Sequence, residues 1–395
     1  MATRKVVALL VVTLMIGGLI ATCTSCGDTG PKEVVIGLTA PLSGGGTQYG
    51  TDCQRGIEMA IEDINKDGGV KIGDDSYDVK LSSLDDRAEP EQGVSNATRL
   101  ATDDGAKIIF CPVATVIFPL LDINEKKDEE FLILAYTSIE MVTDEGNELI
   151  VMPPPPFTVY TKLFTKLAMQ QGWTRMAMVQ TTGAYGDAWA KGMGLAWQTA
   201  GGTITDHARA DYYTETDFVP FLNKALASSP DVLLIGGPSQ PTALVVEQAK
   251  SLGFEGGFIV MDQAKIDGMA GQIGMDKMEN CIGVAPVEAP FPATPVFAER
   301  YKKKYNEQVT WESAINYTAM ILLKDAMESA KSVEDPMAIR KAVPGVLPMS
   351  GDEFPVTLDG IENKGLMHMP SAITMVKNGE YTLSSDLIYW WKEKD

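Results

Sequence analysis

Short apolar runs rich in β-branched residues alternate with longer amphipathic segments along most of the chain. The first run, Val34–Leu38, precedes a helical pattern that places Ile57, Ala60, Ile61 and Ile64 on one face. Further strands are predicted at Tyr77–Leu84, Lys107–Cys111, Phe131–Ala135, Leu149–Met152, Met176–Gln180, Thr203–Ala208, Asp231–Gly236, Phe258–Met261 and Ile282–Ala285. Helical patterns lie between these strands, and this alternation predicts an α/β protein with parallel sheets and helices on both faces.

Four consecutive prolines, Pro153–Pro156, interrupt the alternation. Neither a helix nor a central strand accommodates them, so we expect a stiff polyproline stretch where the chain first crosses between two domains. A return crossover is predicted at Glu288–Pro295, before helices at Trp311–Ser329 and Pro336–Ala342. A pair of strands with a turn at Lys377–Gly379 ends the pattern.

The N-terminus has the pattern of an export signal. Two basic residues precede the apolar run Val6–Ile20, which is short for a membrane span and typical of a secretory signal. Cys23 and Cys26 follow, so residues 1–26 resemble a lipoprotein signal, with Cys26 preferred to Cys23 as the lipid anchor. A plain cleaved signal peptide is the alternative. No other segment is apolar enough to span a bilayer, so we expect an exported, periplasmic or cell-surface protein that is at most tethered by lipid.

Composition and charge exclude several classes of function. The 395 residues suffice for two domains, and the formal net charge of -20 argues against nucleic-acid binding, which needs an excess of Lys and Arg. The only two histidines, His207 and His368, lie outside the predicted cleft loops, and we find no nucleophile elbow, phosphate loop or metal-ligand spacing. We therefore expect no enzyme activity, no cofactor and no metal.

The three remaining cysteines, Cys53, Cys111 and Cys281, show no metal-ligand spacing. Export permits a disulfide, and Cys53 and Cys111 are both predicted near one edge of the same sheet. The sequence is compatible with a Cys53–Cys111 disulfide and also with three buried thiols, of which we prefer the buried thiols.

The segment Ile36–Gly69 is the strongest indication of ligand binding. A strand leads through the turn-rich stretch Pro41–Gly46 into a long helix. This arrangement presents free backbone N–H groups at the carboxyl end of a parallel strand, where α/β proteins bind small ligands.

Several motifs occur together in a characteristic order. The segment just described reads APLSG, then YG, and its helix ends in INKDGG. Further along, YGDAWAKG follows MAMVQ, TDFVPFL spans Thr216–Leu222, and PDVLLIGG spans Pro230–Gly237. In this order and spacing they resemble the leucine/isoleucine/valine type of periplasmic amino-acid-binding proteins, over nearly the whole mature chain.

The resemblance implies the type I periplasmic-binding-protein fold, with two Rossmann-like domains joined by a hinge of three crossovers. It implies an N-terminal lobe of residues 33–153 plus about 288–365, and a C-terminal lobe of 154–287 plus about 366–395. It also implies a function: a monomeric solute-binding protein of an ABC importer, which closes on one small amino acid or related carboxylate and delivers it to a membrane permease. A freestanding sensor of the same fold is the alternative.

The resemblance also implies site residues. In the family, hydroxyls and N–H groups of the first domain hold the ligand carboxylate, and a carboxylate of the second domain meets the ammonium. The matching positions are Thr115 and the run Tyr136, Thr137 and Ser138 for the first role, and Asp262 for the second. Helix capping is the alternative for Thr115 and Ser138.

Aromatic residues are expected around the ligand side chain. The resemblance suggests Tyr49, Tyr136, Phe157 and Tyr185 for this wall, with ordinary core packing as the alternative for each. Ser43, in the APLSG loop, completes the predicted ligand-binding set.

One segment departs from the family pattern. Where the family reads Arg-Thr and then an Asp, this chain has Met152, the four prolines and Phe157. An apolar, stiff segment at this point weakens the case for a branched-chain amino acid and is compatible with a bulkier or more apolar ligand, such as an aromatic amino acid or an aromatic carboxylate.

Overall fold

The strands assemble into two sheets. The computed structural model describes residues 32–291, 294–383 and 387–392. The predicted signal peptide, with Cys23 and Cys26, lies outside these residues. Within them, no helix combines the length and the apolar character needed to cross a bilayer.

The first sheet contains the strands β1 (Lys32–Ala40), β2 (Val70–Ile72), β3 (Asp75–Asp85), β4 (Ile108–Cys111), β5 (Leu132–Ala135) and β6 (Ile150–Val151). Their order is β2-β3-β1-β4-β5-β6, and every pair is parallel except β2 with β3. In the centre, Ile36 of β1 pairs with Leu81 on one side and Ile108 on the other. The helices of this half are α1 (Thr47–Lys66), α2 (Pro90–Thr102) and α3 (Ala114–Leu121).

The second half repeats the pattern. Its helices and strands are α4 (Thr158–Gln170), β7 (Arg175–Thr181), α5 (Gly183–Thr199), β8 (Thr203–Ala210), α6 (Val219–Ala227), β9 (Val232–Gly236), α7 (Ser239–Ser251), β10 (Gly257–Val260), α8 (Ile266–Ile273) and β11 (Cys281–Val284). The five strands are parallel in the order β11-β10-β9-β7-β8.

The C-terminal part of the chain contributes to both halves. It forms α9 (Thr294–Tyr305), α10 (Trp311–Ala330), α11 (Pro336–Ala342), the short antiparallel pair β12 (Gly360–Ile361) and β13 (Met367–His368), and finally β14 (Ile373–Lys377) and β15 (Glu380–Leu383). Helix α10 packs on α1, whereas β14 and β15 extend the second sheet antiparallel beside β11. The chain therefore passes three times between the two sheets.

We call the first sheet with α1–α3 and α9–α11 the first lobe, and the second sheet with α4–α8 the second lobe. The predicted α/β class with parallel sheets is confirmed. The residue boundaries proposed for the lobes from the sequence stay a prediction.

Close packing of α1 against α10 fixes the first lobe. The predicted apolar face of α1 is buried, and Gly56 on this helix lies directly against the backbone of Ser313 on α10. A Cβ at residue 56 would lie 2.2 Å from the Ser313 carbonyl oxygen. Helix α10 begins at a capping box formed by Thr310 and Ser313, so its first turn is held at a defined position.

Three local features differ from what the sequence suggests. The two glycines of Thr181–Asp187 are typical of a loop, yet α5 already begins at Gly183. Gly183 has a φ of +87°, which lets the chain turn directly from β7 into the helix. Helices α8 and α9 were not predicted, since neither follows a strongly periodic apolar pattern.

The three described cysteines are free thiols. Cys53, Cys111 and Cys281 are all buried and form no disulfide with one another. Burial raises the pKa of each thiol, to about 12 for Cys281. Of the two alternatives from the sequence, buried thiols are therefore the correct one.

Candidate functional site

A cavity lies between the lobes at the carboxyl ends of both sets of parallel strands. Residues at or just after the ends of four strands line it: Pro112–Thr115 after β4, Tyr136–Ser138 after β5, Thr181 and Thr182 at the end of β7, and Asp262, Gln263 and Lys265 after β10. The remaining lining residues are mostly apolar or aromatic: Tyr49, Pro154, Pro155, Tyr160, Tyr185, Tyr213, Val284, Trp311, Ile315 and Met369. An apolar enclosure with a few convergent polar groups is typical of small-molecule sites.

The Asp262 carboxylate in this cavity accepts three side-chain hydrogen bonds. Its Oδ1 accepts hydrogen bonds from the hydroxyl of Ser138 at 2.9 Å, the hydroxyl of Tyr185 at 2.8 Å and the indole N–H of Trp189 at 3.0 Å. No donor among the described residues is assigned to Oδ2. Burial raises the pKa of Asp262, and the charge of Lys265 and the three hydrogen bonds act in the opposite direction.

The Ser138–Asp262 bond joins the two lobes, because Ser138 follows β5 and Asp262 follows β10. A second link runs from the backbone N–H of Gly45 to the carbonyl of Tyr213, at 2.9 Å. The structure therefore shows the lobes in contact across the cavity.

A polar network continues along the second lobe. Tyr185 donates to Asp262 and accepts the backbone N–H of Gln263 at 2.8 Å. The Gln263 side-chain amide in turn donates to the Tyr213 hydroxyl at 2.8 Å. These bonds fix the loop after β10, so the Asp262 carboxylate is presented in one orientation.

Buried charges lie beside the cavity. Lys265 Nζ is 3.3 Å from Glu312 Oε1, and Glu312 also accepts the hydroxyl of Tyr136 at 3.3 Å. Behind Glu312, burial and the Glu312 charge raise the pKa of Asp52 to about 7, although Tyr301 donates a hydrogen bond to Asp52 at 2.9 Å. Lys265, which lines the cavity together with Asp262, is thus paired with Glu312, which lies outside the lining.

Seven of the nine predicted ligand-binding residues line this cavity: Tyr49, Thr115, Tyr136, Thr137, Ser138, Tyr185 and Asp262. The capping alternative for Thr115 and Ser138 is wrong. Helix α3 has Val113 as its N-cap, and Ser138 donates to Asp262 instead of capping a helix. Thr115 faces the start of α5 across the cleft, where a Cβ at Gly183 would lie 3.1 Å from its hydroxyl.

The other two predicted residues do not reach the cavity. Ser43 donates to Asp85 Oδ2 at 2.5 Å on the exposed rim of the first lobe. The ring of Phe157 packs against that of Trp189, with centroids 5.3 Å apart, so Phe157 is a core residue that supports Trp189 from behind.

Among the lining residues that the sequence did not single out are the aromatic residues Tyr160, Tyr213 and Trp311 and the polar residues Gln263 and Lys265. Gln263 and Lys265 follow Asp262 on the same loop after β10. Their closeness to Asp262 in the sequence is the one signal that could have suggested these two residues. In the part of the chain that the structure describes, no cluster of His, Cys, Asp or Glu is arranged to hold a metal ion.

The family model for periplasmic binding proteins matches residues 33–380. The chain belongs to the periplasmic binding protein family. Members of this family and fold are substrate-binding proteins rather than enzymes, and membership implies an exported location. The recognition made from the sequence motifs is thereby confirmed.

Relatives and solved structures agree. The Leu/Ile/Val-binding protein BraC3 of Rhizobium johnstonii is 25% identical over 370 residues, which cover 91% of this chain and 92% of the relative. A leucine binding protein of Thermotoga maritima has a TM-score of 0.75 at 23% identity, covering 91% of this chain and 99% of the other. A solute binding protein of R. palustris, solved in complex with benzoate, has a TM-score of 0.76 at 13% identity and covers 90% and 97%. At these identities the structural matches establish the fold.

Proposed function

We propose that this periplasmic binding protein serves an ABC importer and binds an amino acid with a bulky apolar side chain. The observation that carries the proposal is Asp262, a buried carboxylate whose Oδ1 is fully occupied and whose Oδ2 is left for a ligand. A buried carboxylate requires a cationic or donor partner, and an α-ammonium group supplies both.

The pairing of the buried charges favours the same ligand. Lys265 pairs with Glu312, whereas Asp262 has hydrogen bonds but no ion-pair partner among the described residues. An α-ammonium group beside Asp262 would balance it. A carboxylate without an amine would instead add a second uncompensated negative charge, which is costly in a buried site.

The ligand carboxylate is assigned to the first lobe. Thr115 and the loop Tyr136–Ser138 offer hydroxyls and backbone N–H groups, which bind an anion without an Arg. Pro154, Pro155 and Tyr160 also line the cavity, and their apolar rings suit a large hydrophobic side chain. The structural matches include a leucine binding protein, a protein solved with isoleucine and a protein solved with leucine. These matches agree with an amino-acid ligand.

An aromatic carboxylate is the second candidate. Pro154 and Pro155 favour it, because they have neither a polar side chain nor a backbone N–H and their rings suit a flat ligand. One structural match was solved with benzoate. The balance of charge at Asp262 makes this candidate the weaker of the two.

A ligand screen tests the proposal. A ligand that binds only the folded protein raises the melting temperature of that protein. The increase grows with the ratio of the ligand concentration to Kd. In a thermal-shift screen of the amino acids and of aromatic acids, we expect leucine-sized or aromatic amino acids to give the largest increases. The absence of any increase with either class would contradict the proposed function.

We also propose that the exported protein is anchored by lipid at Cys26 or Cys23 and works beside a membrane permease. The signal-like residues 1–26 motivate this proposal. Expressed in a bacterium, the full chain is expected in the membrane fraction, and replacing both cysteines by Ser should move it to the soluble exported fraction. Membrane association that survives both replacements would contradict lipid anchoring.

A further inference from the structure

Lys265 and Glu312 form an ion pair between the two lobes. Lys265 ends the loop after β10 in the second lobe, and Glu312 lies in the first turn of α10 in the first lobe. The nitrogen and oxygen are 3.3 Å apart, and the side chains are only 9% and 4% exposed. Most other ion pairs of the described residues have a more exposed partner and join neighbouring elements of one lobe, so this pair stands out by its burial and its position.

Lys265 is held against the loop that carries Asp262. Its Nζ donates to the backbone carbonyl of Asp262 and lies 3.4 Å from that of Gln263. Its backbone N–H donates to the hydroxyl of Ser239 at 2.9 Å. The Lys265 ammonium is therefore fixed relative to Asp262, and a shift of this loop moves both charges together.

Glu312 is held in the first lobe independently of Lys265. It lies on the second residue of α10, where the helix dipole favours a negative charge, and it accepts the hydroxyl of Tyr136. Tyr136 begins the loop after β5 that we assign to the ligand carboxylate. None of the other ionisable groups facing the pair is cationic, so only Lys265 offsets the Glu312 charge from the second lobe; these groups are Asp52, Asp262, Asp267, Tyr49, Tyr136 and Cys53.

We propose that Lys265 and Glu312 form the closing contact that ties the two halves of the ligand site together. Lys265 is a positioning residue: it links the loop of Asp262 to Glu312 and, through Glu312, to Tyr136. If the lobes separate, each charge loses its partner on the other lobe. Together they are desolvated and paired, so the pair contributes only after the lobes meet. This assignment rests on the proposed ligand-binding function.

Binding kinetics test the assignment. In Lys265→Met and in Glu312→Gln, the dissociation rate of the best amino acid from the screen should rise about tenfold or more, and the association rate should stay within about twofold. If the pair forms only when the lobes close, the melting temperature of the ligand-free protein should not change. A merely structural role would instead lower that melting temperature.

A matched control is Lys277→Met, which removes an ion pair between Lys277 and Glu247 within the second lobe. It should leave both rates unchanged. In the double variant Lys265→Met/Glu312→Gln, the rise in dissociation rate should be smaller than the product of the two single effects, since no buried charge is left unpaired.

The outcomes separate this assignment from the proposed function. If the wild type binds an amino acid and both single variants dissociate at the wild-type rate, or if the two effects multiply, the closing contact is refuted and the function stands. If no compound of the screen binds the wild type, the proposed function fails, and the closing contact fails with it. Should Lys265→Met not fold, Glu312→Gln alone decides, because the amide keeps the hydrogen bond from Tyr136.

Discussion

Replacing Asp262 by Asn is expected to lower the affinity for an amino-acid ligand by roughly 30-fold or more. Truncating one member of a desolvated charge pair costs on the order of 2–5 kcal/mol, since the other charge remains buried without a partner. The amide oxygen of Asn can still accept the hydrogen bonds from Tyr185 and Trp189, so the site should keep its shape. Titration calorimetry of both proteins with the same ligand measures the difference.

A control with the same chemical change is Asp187→Asn, on the surface of the second lobe. Asp187 pairs with Arg209 in an exposed ion pair, so its loss should leave ligand affinity unaltered. For a carboxylate without an amine, Asp262→Asn should be neutral or mildly favourable. Strong amino-acid binding that is undiminished by Asp262→Asn would show that this residue does not meet the ammonium.

Gly56→Val is expected to lower the free energy of unfolding by about 3 kcal/mol or more. A side chain at Gly56 points at the Ser313 carbonyl, 2.2 Å from its Cβ, so α1 and α10 must separate. The change should also displace Trp311 and Glu312, which lie with Ser313 in the first turn of α10. Urea denaturation followed by circular dichroism measures the loss.

Gly271→Val is the matched control, because no atom lies within 4 Å of a Cβ at this exposed position of α8. Valine and glycine have broadly similar helix preferences, so the control should change the unfolding free energy by a few tenths of a kcal/mol at most. Equal free energies of unfolding for the Gly56 and Gly271 variants would mean that the close α1–α10 contact does not contribute measurably to stability.

The sequence was sufficient for the class of fold and for most strands, because buried parallel strands are continuous apolar runs with turn residues between them. Helix α10 was predicted almost to its last residue for a similar reason. The start of α5 was missed because the loop TTGAYGD contains two glycines, and only the structure shows that Gly183 turns the chain directly into a helix.

The site residues that could be predicted are those that directly follow a single strand. Thr115, Ser138 and Asp262 each follow a strand, and strand ends meet at one edge of a sheet. The Lys265–Glu312 pair could not be predicted, since its members belong to different lobes and the spacing carries no signal. Phe157 was misplaced for the same reason: whether an aromatic ring faces a cleft or Trp189 depends on packing.

The most direct test of the central claim compares amino acids with the acids that differ from them only by loss of the amine. We expect calorimetric titration of the wild type to show one molecule of leucine or phenylalanine bound per chain, and at least about tenfold weaker binding of 4-methylpentanoate or 3-phenylpropanoate. This follows because only the amino acids present an ammonium group to Asp262. Equal or tighter binding of the acids that lack the amine would contradict the account.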